Sequence, residues 1–354
     1  MRTIEVKTGR PYHIQIESGL LLKFAELFSE VYGERKPRLA IITDDIVDGL
    51  YGQALQAQLE AAGYCVCKYA FPNGEGSKTL ETVNHVYAFL AANSITRTDV
   101  IIALGGGVVG DLAGFAAATW LRGIEFVQVP TTFLATIDSS VGGKTGVDIP
   151  QGKNLVGAFW QPSLVVCDIL ALDTLSDEIF ADGVAEAIKY GAILDEKLFG
   201  ILENGILSQY LEYVICRCVD LKREIVEADE HDKGVRQWLN FGHTFGHAVE
   251  KQSDFAISHG KGVAIGMVLL TEACERQGIT PSGCASRIAA CCEQYGLPVM
   301  TDFPLEVLCH NCMGDKKRSG SKITLVTLEQ IGKAALYPVD TDGLYTFMGG
   351  ECHE

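Results

Sequence analysis

The chain has 354 residues, 47% of them hydrophobic, and a formal net charge of −16. That length suggests two domains, each able to build a core, and the acidic balance argues against a nucleic-acid partner, whose binders are usually basic. No apolar run approaches the ~20 residues a membrane helix needs, and the opening M-R-T-I-E-V-K has no apolar signal core, so no membrane partner and a cytoplasmic location are expected.

Along the first 170 or so residues, strand and helix signals alternate. Thr3–Lys7 and Tyr12–Glu17 read as a short hairpin and Leu20–Val31 as a helix. Arg38–Thr43 is an apolar strand that runs into Asp44 and Asp45, and Ile46–Ala61 looks helical. Tyr64–Phe71 is strand-like, Pro72-Asn73-Gly74 breaks it, Lys78–Ala92 is helical, and Asp99–Leu104 is another buried strand. Alternation of this kind implies a parallel sheet covered by helices.

The last of those strands runs into G-G-G-V-V-G-D at 105–111. Glycines there let the backbone come close to phosphate oxygens, and the following helix N-terminus offers free N–H groups and a positive dipole end. The usual dinucleotide fingerprint follows the first strand and has an acid about 20 residues on; here Asp44, at the end of an earlier strand, is the better candidate for a ribose hydroxyl. Its alternative role is helix N-cap. Lys144, between glycines in D-S-S-V-G-G-K-T-G, and Lys153 in Q-G-K-N-L-V-G are candidates to meet an anion.

Leu164–Ile169 is the last strand of the alternating pattern, and the boundary is placed at Asp173. Helical runs then dominate: 177–190, 197–202, 210–228, 242–251, 261–276 and 281–295, with a late hairpin at 322–328 and 333–337. The twelve cysteines read as reduced thiols packed as small hydrophobes. Cys309-x-x-Cys312 has no second such pair to complete a structural zinc site.

Leu239–Glu250, L-N-F-G-H-T-F-G-H-A-V-E, sets His243 and His247 four apart, on one helix face. His259 follows in I-S-H-G-K-G. Three histidines among Gly242, Gly246 and Gly260 suggest a metal site, with packed core histidines as the alternative. Glu186 and Lys189, in G-V-A-E-A-I-K-Y-G, form either a surface ion pair at i, i+3 or, given the small apolar neighbours, a buried carboxylate ligand beside a lysine. Lys222 and Arg236 precede Asn240, and 313–318 is basic and glycine-flanked. Two nitrogens and a carboxylate would leave open positions on a zinc-like ion. Together the residues point to an NAD- and metal-dependent enzyme acting on an anionic polyol.

The chain resembles the 3-dehydroquinate synthase family of sugar phosphate cyclases, which serve the shikimate pathway. The resemblance rests on P-N-G-E-G-S-K at 72–78, G-G-G-V-V-G-D-L-A-G-F at 105–115 and V-P-T-T-F-L-A-T-I-D-S-S-V-G-G-K-T-G-V at 129–147. It continues in G-K-N-L-V-G at 152–157, A-E-A-I-K-Y-G at 185–191, L-N-F-G-H-T-F-G-H-A at 239–248 and H-G-K-G-V-A-I-G-M at 259–267. It implies an α/β Rossmann-like N-terminal domain with a parallel sheet (1–172) that binds NAD, and a mainly α-helical C-terminal domain (173–354) that binds metal and substrate. By likeness the Zn2+ or Co2+ ligands are Glu186, His243 and His259, with His247 turned to the substrate; spacing alone pairs His243 with His247. Asp44, Glu75, Lys78, Gly106, Gly107, Val108, Asp111, Thr131, Thr132, Lys153 and Thr174 are assigned to NAD. Asp138, Lys144, Asn154, Lys189, Lys222, Arg236, Asn240, His247 and Lys316 are assigned to the substrate, and Arg122 to the neighbouring site of a homodimer. Lys261 departs from the family, which usually has an acid there.

The implied reaction converts 3-deoxy-D-arabino-heptulosonate 7-phosphate to 3-dehydroquinate and phosphate, by transient oxidation with NAD, phosphate elimination, reduction, ring opening and aldol closure. Rivals are a sibling cyclase on another sugar phosphate, a metal-dependent polyol dehydrogenase, and a non-catalytic NAD- or metal-binding protein.

Overall fold

A computed structural model describes residues 1–313 and 321–351 of the chain. Two compact units form: Met1–Leu175 with Lys222–His231, and Ser176–Leu221 with Asp232–Glu354.

In the first unit, strands β1 (Arg2–Val6), β2 (Tyr12–Glu17), β3 (Leu39–Asp44), β4 (Val66–Phe71), β5 (Val100–Gly105), β6 (Glu125–Pro130) and β9 (Leu164–Asp168) make one sheet, ordered β1-β2-β9-β6-β5-β3-β4. Only β1 runs antiparallel to its neighbour. Every residue of β3 and β5 is buried, as their continuous apolar runs require of strands covered on both faces. Successive side chains enter opposite layers. Ile41 and Ile102 pack with Phe24 and Phe28 of α1 (Phe24–Tyr32), and Leu55 and Leu59 join them. Ile42 and Ile101 pack on the other side with Val86 and Leu112. Each such aliphatic or aromatic side chain contributes about 1.5–3 kcal/mol when fully buried.

The region read as one helix from Ile46 is a short turn α2 (Asp45–Val47), a π-helical turn at Asp48–Gly52, and α3 (Gln53–Ala61). Helix α4 (Leu80–Ala92) is capped by Thr79, whose hydroxyl accepts from the Thr82 N–H. Helix α5 (Gly107–Thr119) leaves β5 directly. Because β4 and β5 flank β3 on opposite sides, the strand order reverses there. The crevice beyond the carboxyl ends of β3 and β5 is then the place where open α/β sheets bind ligands. Strands β7 (Lys144–Ile149) and β8 (Gly152–Phe159) pair separately as a hairpin.

The second unit contains α6 (Asp177–Leu194), α7 (Glu196–Glu203) and the start of α8 (Leu211–Ala228), whose residues from Lys222 onward belong to the first. It also contains α9 (His243–Gln252), α10 (His259–Arg276), α11 (Cys284–Gln294) and α12 (Leu305–Met313). The hairpin β10 (Lys322–Gln330) and β11 (Lys333–Asp340) and a last turn α13 (Leu344–Phe347) complete it. Phe245, Ile265, Leu308, Ile323 and Val339 share one core cluster. Cys309 and Cys312 belong to the same cluster, and every described cysteine is a free thiol. Burial pushes the Cys274 and Cys291 thiols up to about 12. Among the described residues no helix is long and apolar enough to cross a membrane.

Candidate metal centre and cofactor cradle

In the second unit the site begins with glycines. Gly242 caps α9 at φ 76, in the left-handed region, and a Cβ there would strike Met267. A Cβ on Gly246 would lie 2.9 Å from the Gly262 backbone, so α9 and α10 approach to backbone contact. That approach brings His243, at the start of α9, and His259, at the start of α10, around Glu186 of α6. Glu186 Oε1 is 3.4 Å from His243 Nε2 and 3.1 Å from His259 Nε2. Each of the three offers a ligand atom within 4.8 Å of the others. His247 Nε2, Glu250 and His259 form a second such group.

Glu186 is completely buried and pairs with Lys189, itself 1% exposed. Burial opposes its ionisation, but the Lys189 ammonium and the hydrogen bond from His259 outweigh that and hold the carboxyl well below its usual range. Burial drives the His243 pKa down to about 3, so its ring is neutral; Nδ1 lies 3.0 Å from the Phe241 carbonyl, which accepts the Nδ1–H and leaves the Nε2 lone pair facing Glu186. Burial would lower His259 too, but hydrogen bonds to Glu186 and Glu250 raise it to about 10. The free His243 lone pair, the Glu186 carboxylate, a His259 Nε2 that becomes a ligand once the ion displaces its proton, and outer hydrogen-bond partners on both histidines suit a divalent cation with open positions.

His243 and His247 do neighbour one another, rings edge to face at 5.4 Å, as their spacing requires. Arg236 is buried and Asn240 exposed, both on the 3₁₀ turn Val235–Asn240. Lys261 pairs with Glu178 at the surface. Lys316 lies outside the described residues. Sequence reasoning missed Glu250, and the signal that could have found it is its place seven residues after His243, hence on the same face of α9.

In the first unit, Asp44 ends β3 at the level of Gly105 on β5, since Thr43 pairs with Leu104. Its Oδ1 accepts from the Val47 N–H at 2.8 Å, so it caps α2. Gly106 and Gly107 open α5, and a Cβ on them would meet Thr132 Cγ2 at 3.0 Å and Ser139 Oγ at 3.3 Å. The buried hydroxyls of Thr131 and Ser139 have no hydrogen-bond partner. A bare backbone turn at a helix N-terminus with unsatisfied hydroxyls nearby, at the strand-order reversal, suits a dinucleotide. Val108 follows on the same turn.

Lys78 Nζ donates to Asp111 Oδ2 at 2.5 Å and to Asn154 Oδ1 at 2.6 Å. Burial works against the Lys78 charge, but Asp111 and Glu75 outweigh it and raise its pKa. Lys153 is 3.5 Å from the exposed Glu75. Asn154 has φ 55, and its N–H donates to Asp148. Lys222 Nζ lies 3.0 Å from Asp138 Oδ1 and donates to the Asp138 carbonyl at 2.6 Å. Thr174 Oγ1 is 2.7 Å from the Tyr51 hydroxyl. Lys144 is exposed at the start of β7, and Arg122 is exposed at φ 70.

Family models described as 3-dehydroquinate synthase N-terminal and C-terminal match residues 68–182 and 183–318. The chain is 45% identical over 346 residues to 3-dehydroquinate synthase of Streptococcus suis, spanning 96% of this chain and 97% of that protein. It is 44% identical over 346 residues to that of Enterococcus faecalis, spanning 96% of both. Among solved structures it is similar to 2-deoxy-scyllo-inosose synthase complexed with carbaglucose-6-phosphate, NAD+ and Co2+ (TM-score 0.84, 25% identity, 98% of this chain and 99% of that one). It is similar also to 2-epi-5-epi-valiolone synthase from Streptomyces hygroscopicus with NAD+ and Zn2+ bound (TM-score 0.87, 25% identity, 98% of each chain). An iron-containing alcohol dehydrogenase shares the fold alone (TM-score 0.60, 14% identity, 88% of this chain and 92% of that one). With its helical second unit, the chain has the α/β Rossmann-like and α-helical arrangement expected of these cyclases, and it belongs to the 3-dehydroquinate synthase family.

Proposed function

We propose that the protein converts 3-deoxy-D-arabino-heptulosonate 7-phosphate to 3-dehydroquinate and phosphate, as a carbon–oxygen lyase that uses NAD without net oxidation. One observation supports the reading above the rest. Glu186, His243 and His259, from three separate helices, converge within 4.8 Å in a chain that shares 41–45% identity with named 3-dehydroquinate synthases.

Glu186, His243 and His259 would hold Zn2+ or Co2+. Asp44, Thr131 and the Gly106–Val108 turn would hold NAD, with Glu75, Lys78, Asp111, Thr132, Lys153 and Thr174 around it. When bound, the cation supplies a Lewis acid to neighbouring substrate hydroxyls, and NAD supplies reversible two-electron chemistry. The protein's own residues position the substrate. It is an anion with a carboxylate and a phosphate, and Lys144, Lys189, Lys222, Arg236 and Lys316 offer complementary charge. Lys222, already held by Asp138, loses little freedom when it meets an oxyanion. Asn154 and Asn240 supply neutral donors, and the His247 imidazole can hold or pass a proton. The carbon–oxygen bond to phosphate breaks and a carbon–carbon bond closes the ring. The working unit is a cytoplasmic homodimer in which Arg122 serves the neighbouring site.

The test is phosphate release from this substrate with catalytic NAD, before and after chelation. Release that stops on chelation and returns with Zn2+ or Co2+, without net NADH, is expected. NADH formed in proportion to product would instead make the protein a dehydrogenase. Turnover confined to another sugar phosphate would make it a sibling cyclase.

A further inference from the structure

Glu250 stands outside every role assigned so far, yet it is 1% exposed and carries a carboxylate. Such a group is retained in a core only with charged or hydrogen-bonded partners. Its Oε2 is 3.4 Å from His259 Nδ1 and 4.0 Å from His247 Nε2. The other nitrogen of the same ring, His259 Nε2, faces Glu186 at 3.1 Å. His259 therefore lies between two carboxylates, one on each ring nitrogen. A metal-ligating histidine needs its free ring nitrogen fixed as a donor, so that the lone pair of the other points at the ion. The close approach of α9 and α10 seats the acid where it can do this, since a Cβ on Gly262 would be 3.1 Å from Glu250 Cγ.

We propose that Glu250 is a positioning residue for the metal centre. It accepts the Nδ1–H of His259, so that when the cation is bound the Nε2 lone pair is the one offered to it, and it strengthens that nitrogen as a ligand. The inference rests on the ligand set Glu186, His243 and His259 proposed above.

The test is Co2+ binding to the metal-free full-length protein, followed by visible absorption against a competing chelator. Wild type is compared with Glu250→Gln, Glu250→Leu and His259→Ala. Leu removes the acceptor, and binding is expected to weaken about 10–100-fold. Gln keeps an acceptor oxygen without the charge, and weakens binding less. The Co2+ form should show a shifted, exchangeable imidazole N–H signal that persists in wild type and Gln and vanishes in Leu. A purely structural role would leave that signal in place. Wild-type affinity in Leu overturns the proposal. So does a Gln variant as weak as Leu, because that is the behaviour of a direct ligand. If Leu fails to fold, the comparison of Gln with wild type decides: faster exchange of the imidazole proton supports the proposal, and an unchanged rate overturns it. Wild-type affinity in His259→Ala would remove the ligand set itself, whatever Glu250 does.

Discussion

Gly246 of α9 and Gly262 of α10 meet backbone to backbone, a Cβ on the first standing 2.9 Å from the carbonyl carbon of the second. The contact is what lets two helices place His243 and His259 beside one carboxylate. Gly246→Ala should therefore destabilise the fold by about 1–3 kcal/mol, the usual cost of overpacking. It should also weaken Co2+ binding. Urea unfolding and metal titration measure the two effects, and an alanine variant with wild-type values in both would refute the packing argument.

The Lys222–Asp138 pair bears on substrate affinity. Removing the ammonium in Lys222→Ala deletes a charge-assisted interaction worth about 1.5–3 kcal/mol. The expected loss in kcat/KM is about 10–100-fold, with the folded state retained by circular dichroism. Kinetics within about twofold of wild type, too small a change for a lost charge-assisted contact, would remove Lys222 from the substrate set.

Lys78 separates stability from cofactor binding. Its ammonium is buried against Asp111 and Asn154. Lys78→Met leaves the carboxylate without that cation and should cost about 3 kcal/mol. Adding Asp111→Leu should restore much of the stability by removing the uncompensated charge, while NAD affinity stays low. Calorimetric titration with NAD, run beside thermal unfolding, checks both halves; NAD affinity that recovers in the double variant would leave the pair a purely structural role.

Asp195 gives a pH signature away from the site. It caps α7 through the Leu198 N–H at 3.0 Å and accepts from Arg217 Nε at 2.6 Å. Partial burial raises its pKa, but Arg217 and the cap outweigh that and the net shift is downward. A depressed carboxyl contributes stability above its unfolded pKa of about 3.9 and loses it as pH falls through the lower folded value. Asp195→Asn keeps a cap but loses the charge paired with Arg217, and should therefore cost about 0.2–1 kcal/mol at pH 7. The gap from wild type should shrink below pH 4. Urea midpoints at pH 7 and 3.5 measure it, and a gap that widens in acid would contradict the assignment.

The parts legible in the sequence were those with a strong local signal. L-A-I-I-T and V-I-I-A-L are continuous apolar runs of the kind a buried strand needs, and the hairpin at the start of the chain alternates apolar with polar residues. The β7–β8 hairpin had no such signal. Its strands mix charge with glycine, and Gly157 packs so tightly that a Cβ would stand 2.2 Å from the Thr145 carbonyl. The π-helical turn at Asp48–Gly52 was hidden for another reason: it lies within a longer helical run, and only the hydrogen-bond register changes. At the metal centre, spacing reached the shared face of His243 and His247. It did not join Glu186 to them, because no periodicity links α6 to α9 and α10; the small apolar neighbours of Glu186 suggested a buried carboxylate ligand, and the family resemblance grouped it with His243 and His259. The glycines near the histidines did signal a close approach, and what approaches is the neighbouring helix. Lys261 replaced the usual acid, and its pairing with Glu178 turns it outward to a surface partner.

The first unit takes back residues 222–231 after the chain has already entered the second. A gene cut once, at any point, therefore cannot yield both units whole. A fragment ending at residue 175 would lack Lys222, the partner of Asp138, and a fragment starting at 176 would carry a stretch of helix whose companions are elsewhere. Inheritance of these two halves has to be joint: neither can be swapped, duplicated or lent to another protein as a simple contiguous block.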